Sequence, residues 1–374
     1  MNIIINAASI FKGGAEQVVH SFINECQSIE EHEYHIILCE NIATLLGDEP
    51  FPDNFIFYKQ EKRPGTSIRT LWKSLRHFDE LEKRINPDFV ISTGGHGYWR
   101  PKAPLVAGFN IPHFVYPESP YFNKISLKKR LVWSLKKQFN LFFDRRSDAI
   151  VVQTDDVKER LEKLIPNVPI HTVSNTINGA FLNGESHPAK LPPKKENEYR
   201  LLTVSSYYPH KNLDIIFPVL KQLEKQGRHE IRFLLTLPEK NFREFSEDYS
   251  GDQIYNVGPV PISEVPSLYD ECDIMFLPTL LECFSASYAE AMAKEKPILT
   301  SDLGFAHTVC GDAAVYFNPT DPADIADKII YLSDNPEIRA KLVQAGKRAL
   351  SQLNTPKERA EKFIEIGKEL VNSI

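Results

Sequence analysis

Short apolar runs alternate with longer amphipathic ones from end to end of this 374-residue chain, and that alternation limits the fold more than any other feature. Ile3–Asn6, Tyr34–Cys39, Phe55–Tyr58, Phe89–Ser92, Leu105–Phe109, Ala149–Gln153 and Ile170–Val173 are the candidate strands of the first half. Strands of that kind sit in a parallel sheet covered on both sides, and the amphipathic stretches between them supply the crossover helices. Around residues 187–197 the pattern breaks. Pro188, Pro192 and Pro193 stand among Lys190, Lys194 and Lys195 there, the composition of a linker or exposed loop. A second series follows: Leu201–Ser205, Ile231–Leu235, Ile254–Val257, Asp273–Leu277, Pro297–Thr300 and Ala314–Phe317. The expected class is therefore α/β, with two doubly wound domains over residues 1–176 and 177–355. The amphipathic tail, 356–374, is expected to pack back on the first. Two such domains are expected to share a cleft at the carboxyl ends of their strands, where these sheets bind ligands.

Composition narrows the function. Lys and Arg number 44 against 50 Asp and Glu, and a net charge of -6 argues against wholesale nucleic-acid binding. The five cysteines are scattered, without metal-ligand spacing, which fits a reducing compartment. Met1 to Phe11 lacks a cationic leader and a small-residue cleavage site and reads as a first buried strand. No apolar run reaches the ~18 to 20 residues of a membrane span. The expected location is the cytoplasm, with peripheral contact at the inner face of the membrane.

Several strand ends carry candidate chemistry. Gly13 and Gly14 lie between the first strand and a helix, where a backbone can approach a ligand and helix N–H groups are free. Gly94-Gly95-His96-Gly97 and His113 follow two further strands, and a neutral histidine can exchange hydrogen bonds with a sugar hydroxyl. A satisfied loop histidine is the plainer reading of His113. Lys211 stands at a strand-to-helix corner, where an ammonium can meet phosphate. Glu282 is placed by the pattern in a loop after a strand. A helix starts near Ser285, with Glu290 about two turns inside it. The helix mouth at Ser285, Ala286 and Ser287 offers N–H groups to an anion. Between Lys124 and Arg146, basic residues such as Lys128, Lys129, Lys136 and Lys137 interleave with Trp133, Phe139 and Phe142. That suits an anionic membrane surface, against the alternative of a helix with core aromatics and solvated lysines.

Taken together, these segments resemble the retaining glycosyltransferases of family 4, whose GT-B fold pairs two Rossmann-like domains and whose second domain carries an E-x7-E motif. Besides Glu282 to Glu290, the likeness rests on Gly13-Gly14-Ala15-Glu16, Val151-Val152-Gln153-Thr154, Val173-Ser174-Asn175-Thr176, Lys211, Gly258-Pro259-Val260 and Gly311-Asp312. The resemblance implies transfer of a sugar from a nucleotide-diphosphate sugar to a saccharide or lipid-linked acceptor in cell-surface glycan synthesis. It implies neither metal nor other cofactor, and the sequence has no Asp-x-Asp pair. By the same analogy Glu282 meets the donor sugar and Glu290 the ribose, while Lys211 and the helix mouth hold the diphosphate. His113 matches the family's first-domain histidine, and Gly13 and Gly14 lie on the acceptor side. Ser206 occupies the position of a family arginine, and Glu282-Cys283-Phe284-Ser285 replaces Glu-Gly-Phe-Gly, so Ser206, Phe284, Ser285 and Ala286 complete the donor set. An epimerase on the same fold, or a non-catalytic nucleotide-sugar binder, is the alternative.

Overall fold

A computed structural model describes residues 1–10, 14–47, 50–60, 64, 66–182, 187–247 and 249–373. The chain divides into two compact units. One comprises Met1–Val115, Leu127–Thr176 and Asn354–Ile374, the other Tyr116–Ser126 and Ile177–Leu353. The sequence reading kept 1–176 together. Here Tyr116–Ser126 departs from the first stretch and packs with the second unit.

In the first unit, β1 (Asn2–Ala7), β2 (Glu33–Cys39), β3 (Phe55–Gln60), β4 (Phe89–Ser92), β5 (Leu105–Gly108), β6 (Ala149–Val152) and β7 (Ile170–Thr172) form a seven-stranded sheet in the order β3-β2-β1-β4-β5-β6-β7. In the second, β8 (Tyr199–Thr203), β9 (Ile231–Leu235), β10 (Ile254–Asn256), β11 (Ile274–Leu277), β12 (Ile298–Ser301) and β13 (Ala314–Phe317) form a six-stranded sheet, β10-β9-β8-β11-β12-β13. The pairings in both are parallel. β4, β5, β6, β8, β9 and β11 are buried at each position, which is why they read as mainly apolar runs, with Arg200 in β8 and Arg232 in β9 the charged exceptions. Strand order reverses between β1 and β4 and again between β8 and β11. At such reversals the connections diverge and leave a crevice at the carboxyl ends.

Five helices matter below: α1 (Gly14–Cys26), α2 (Ile68–Ile85), α3 (Leu127–Asp144), α4 (Ala286–Ala293) and α5 (Pro356–Asn372). The last returns to the first unit. Phe363 of α5 meets Phe22 of α1 edge-on at 5.1 Å, and the buried Arg359 guanidinium donates to both oxygens of Glu25 at 2.7 and 3.1 Å. Gly367 allows the close approach of α5 to the sheet, since a Cβ there would stand 2.3 Å from the Phe89 ring. The proline- and lysine-rich stretch is no free linker in its described part. The Lys190 and Leu191 amides donate to Glu271 at 2.9 and 2.8 Å, and Lys194 pairs with Asp273 at 2.6 Å, which ties the stretch to the second unit.

Candidate functional site

The second unit gathers its chemistry at the β8/β11 reversal. After β8 the chain reaches the 3-10 turn Pro209–Lys211, followed by Asn212 in the left-handed region at φ 58°, a conformation asparagine tolerates. The His210 carbonyl accepts from the Leu280 amide at 2.7 Å and the Thr279 hydroxyl at 3.2 Å, which fixes this corner to the loop after β11. Lys211 Nζ then pairs with Glu282 Oε1, to which Thr279 Oγ1 also donates at 3.1 Å. With 17% and 13% of the two side chains exposed, the pair sits at a rim, reachable from solvent. His210 is held near pKa 4, by burial first and the Lys211 charge second, so it is neutral at pH 7, and the corner's cations among the described residues are Lys211 and Lys124, the latter on Asn212 Oδ1. Ser206 is exposed nearby.

Loop 278–285 leads into α4. Ser285, in extended conformation (φ -105°, ψ 121°), caps the helix without a side-chain hydrogen bond, so the Ala286 and Ser287 N–H groups have no partner within the helix. Phe284 is half-buried and Cys283 buried at this mouth. Glu290 is the fifth residue of α4. It lies little more than one turn inside the helix, not two, because the helix begins after Ser285. It is 7% exposed, accepts from Tyr269 Oη at 3.1 Å, and has its pKa pushed up to about 7 by burial. Nothing in the sequence marked Tyr269, since a buried tyrosine in the helix Val265–Asp270 carries no local signal. The same holds for Tyr116–Ser126: Ser119 Oγ donates to the Leu280 carbonyl at 2.7 Å, and Lys124 Nζ donates to Asn212 Oδ1.

In the first unit a cavity of about 530 Å³ opens at the β1/β4 reversal, walled by the chain after β1 (Ser9, Ile10), after β4 (Gly94 to Tyr98) and after β5 (Phe109 to Ile111). Its polar end is set by α3. His96 Nδ1 accepts from the Tyr98 amide at 3.0 Å, so the proton is on Nε2, which lies 3.2 Å from Asn140 Oδ1 and 3.9 Å from Asp144 Oδ1. Asp144 is 4% exposed, and burial pushes its pKa up to about 7. Asp144 Oδ2 and Ser9 Oγ find no hydrogen-bond partner among the described residues. The loop His96 belongs with this cavity, while Asp144, within a basic and aromatic helix, went unread. Gly14 opens α1 and the cavity wall reaches Ala15, whereas Gly13 lies outside the described residues. His113 is elsewhere in the unit, on the short helix Pro112–Val115, with its ring stacked on Trp133 at 3.8 Å and 11°.

Most of the basic and aromatic segment is α3, while Lys124 precedes the helix and belongs to the second unit. Of the residues of α3 only Leu141 and Asp144 are buried, and Leu127, Leu131, Leu135, Phe139 and Phe142 form one exposed apolar stripe at helical spacing. The reading with core aromatics therefore fails for Phe139 and Phe142, though Trp133 is half-covered by His113. No described helix is long and apolar enough to cross a membrane.

Comparison with known proteins covers both halves. Residues 12–180 match the family described as Glycosyltransferase Family 4, and residues 187–349 match Glycosyl transferases group 1. The O-antigen chain mannosyltransferase of Salmonella typhimurium is 24% identical over 215 residues, 57% of this chain and 56% of that protein. The matches span little over half the length of the curated relatives. Among solved structures, the sucrose-phosphate synthase of Thermosynechococcus elongatus superposes with a TM-score of 0.78 at 13% identity, over 100% of both chains. The HepE protein of Anabaena, solved with UDP and glucose, superposes at 0.69 and 14% identity, also over 100% of both. These likenesses establish the GT-B fold.

Proposed function

Because the chain belongs to the group 1 glycosyltransferases, we propose that it moves a hexosyl group from a nucleotide-diphosphate sugar to a saccharide or lipid-linked acceptor, with retention and without a metal, in building a cell-surface glycan. The observation that carries the reading is the β8/β11 corner, where Lys211 pairs with Glu282 and the same loop 278–285 leads into the uncapped start of α4. As the bond from the anomeric carbon to the diphosphate breaks, negative charge grows on the leaving oxygens. Lys211 and the Ala286 and Ser287 amides hold that charge, each such contact being worth about 3 to 4 kcal/mol in the transition state. The acceptor hydroxyl attacks the same face and its proton passes to the departing diphosphate, so no protein base is required.

The other assignments rest on the likeness to family 4. Glu282 accepts from donor-sugar hydroxyls, Glu290 from the ribose, and Ser206, Phe284 and Ser285 line the approach. By likeness to the family, His113 is assigned to the transferred sugar and Gly13 and Gly14 to the acceptor side. The acceptor's own hydroxyls enter the cavity beside Ser9 and Asp144, whose described walls carry no cation and so favour an uncharged sugar end. That the Anabaena relative is solved with UDP and glucose and the Salmonella relative is a mannosyltransferase supports a nucleotide-sugar donor. The exposed stripe of α3, with Lys128, Lys129 and Lys136 around it, supports peripheral contact with an anionic membrane.

A panel of UDP-, GDP- and ADP-sugars screened for thermal stabilisation in chelator tests the donor reading, since a ligand bound only by the folded chain raises the midpoint by mass action. One nucleotide family should stabilise and the others should not. Indifference to all of them would overturn the reading.

A further inference from the structure

Tyr116–Ser126, the stretch between the short helix Pro112–Val115 and α3, packs with the second unit and crosses the carboxyl ends of three neighbouring strands there. At the end of β12 the Tyr116 ring meets Phe305, on the helix Gly304–Cys310, edge-on at 6.0 Å. At the end of β11 Ser119 Oγ donates to the Leu280 carbonyl at 2.7 Å. At the end of β8 the Tyr121 ring stands 6.4 Å from His210. The contacts come in the order of the strands, β12, β11 and β8, so the segment runs over the crevice edge toward Lys211.

Its far end is held in place. Ser119 caps the 3-10 turn Pro120–Lys124 by accepting from the Tyr121 amide at 3.2 Å, and both residues are buried. Lys124 is the last residue of that turn, and its ammonium donates to Asn212 Oδ1. Asn212 follows Lys211 directly, is 2% exposed, and donates from Nδ2 to the Pro319 carbonyl at 2.9 Å. One buried amide thus fixes Lys124 beside the turn that carries Lys211.

Charge decides what such an ammonium can meet. Lys211 is paired with Glu282, and the two together bring no net charge to an anion. Lys124 has no carboxylate in ion-pair range among the described residues. Asp214 acts on it from farther away and accepts from Tyr207 Oη at 2.8 Å. The neutral amide of Asn212 occupies one of the three ammonium donors and leaves two. Burial lowers the Lys124 pKa against the opposing charge of Asp214, the behaviour of a cation that has lost water without gaining an acid. An anion bound at this corner would supply the missing countercharge.

We propose that Lys124 is a second diphosphate-binding residue, whose two remaining N–H donors meet the same leaving group as Lys211. The inference rests on the donor reading above and adds to it a residue that comes from outside the loops of the second sheet.

Inorganic pyrophosphate in chelator is the probe, because it presents a diphosphate without base or sugar, and calorimetry on the full chain reads its affinity. Lys124→Gln keeps a donor for Asn212 and removes the charge. It should weaken pyrophosphate binding about 10- to 150-fold, the loss of a charge-assisted contact, and Lys124→Arg should stay within about threefold of the parent. Lys124 is an exposed residue, so both variants fold, and an unchanged melting midpoint without ligand confirms it. Lys211→Ala is measured alongside and should lose affinity too. Loss in only one of Lys124→Gln and Lys211→Ala would overturn the shared contact. Equal loss in the Gln and Arg variants would show that the lysine only packs the segment, and would overturn the proposal as well. A parent chain indifferent to pyrophosphate yet stabilised by a nucleotide sugar would overturn the proposal alone, whereas indifference to both would overturn the donor reading with it.

Discussion

Replacing Glu290 by Gln should make the fold more stable above pH 7 while weakening donor binding. Glu290 is buried, and its pKa rises from about 4.5 in the unfolded chain to about 7 in the folded one. Between those values the folded state keeps a proton that the unfolded state has released. Stability therefore falls as pH rises through this window and levels off above it. The difference corresponds to on the order of 3 kcal/mol at pH 8, the cost of keeping a charged carboxylate where, among the described residues, Tyr269 Oη alone donates to it. Gln has nearly the same shape, accepts the same hydrogen bond and carries no charge. The variant should gain up to that amount at pH 8 and nothing at pH 4. Thermal unfolding followed by circular dichroism measures this, since Trp72, Trp99 and Trp133 all lie in the first unit and their fluorescence does not report on the second. Calorimetry should show the stabilising nucleotide sugar bound about 10- to 150-fold more weakly, from the loss of charge-assisted bonds worth ~1.5 to 3 kcal/mol. A variant less stable than the parent at pH 8, with unchanged donor affinity, would refute both the charge and the role assigned to it.

Lys211→Ala should lower nucleotide release by about 10²- to 10³-fold, the range for one lost transition-state donor, with little change in melting; unchanged turnover would place the diphosphate elsewhere. Asp144→Asn should raise the KM for acceptor and leave donor affinity untouched, and an effect on donor affinity alone would contradict the cavity's assignment. Arg359→Ala strands Glu25 in the interior between α1 and α5 and should cost about 3 to 5 kcal/mol, read by tryptophan-monitored unfolding of the first unit. A loss under about 1 kcal/mol would show that α5 is held by apolar packing alone.

The strands were legible because burial selects apolar side chains: β4 and β9, buried at each position, have the bounds their runs suggest, and so does β13, whose Val315 and Tyr316 are half-buried. Ends were less so. β8 begins at Tyr199 because Tyr199 and Arg200 pair in register with β9, and Arg200 stays in the sheet by bonding Glu198. What one stretch of chain could show of the β8/β11 corner, an acid in a loop and a lysine at a turn, was readable. What needed two distant stretches was not: the pairing of Lys211 with Glu282, Tyr269 over Glu290, and Tyr116–Ser126 against Leu280 and Asn212. Asp144 was hidden for a different reason. An acid at the end of a cationic helix looks like a solvated residue until the fold turns it toward a cavity.

The measurement that bears most directly on the account is release of nucleoside diphosphate from the stabilising nucleotide sugar, with and without a saccharide acceptor, in chelator. The account predicts release that rises steeply with acceptor, survives chelation, collapses in Lys211→Ala, and yields a product whose new linkage keeps the donor's anomeric configuration by NMR. Release independent of acceptor, or a product of inverted configuration, would contradict it.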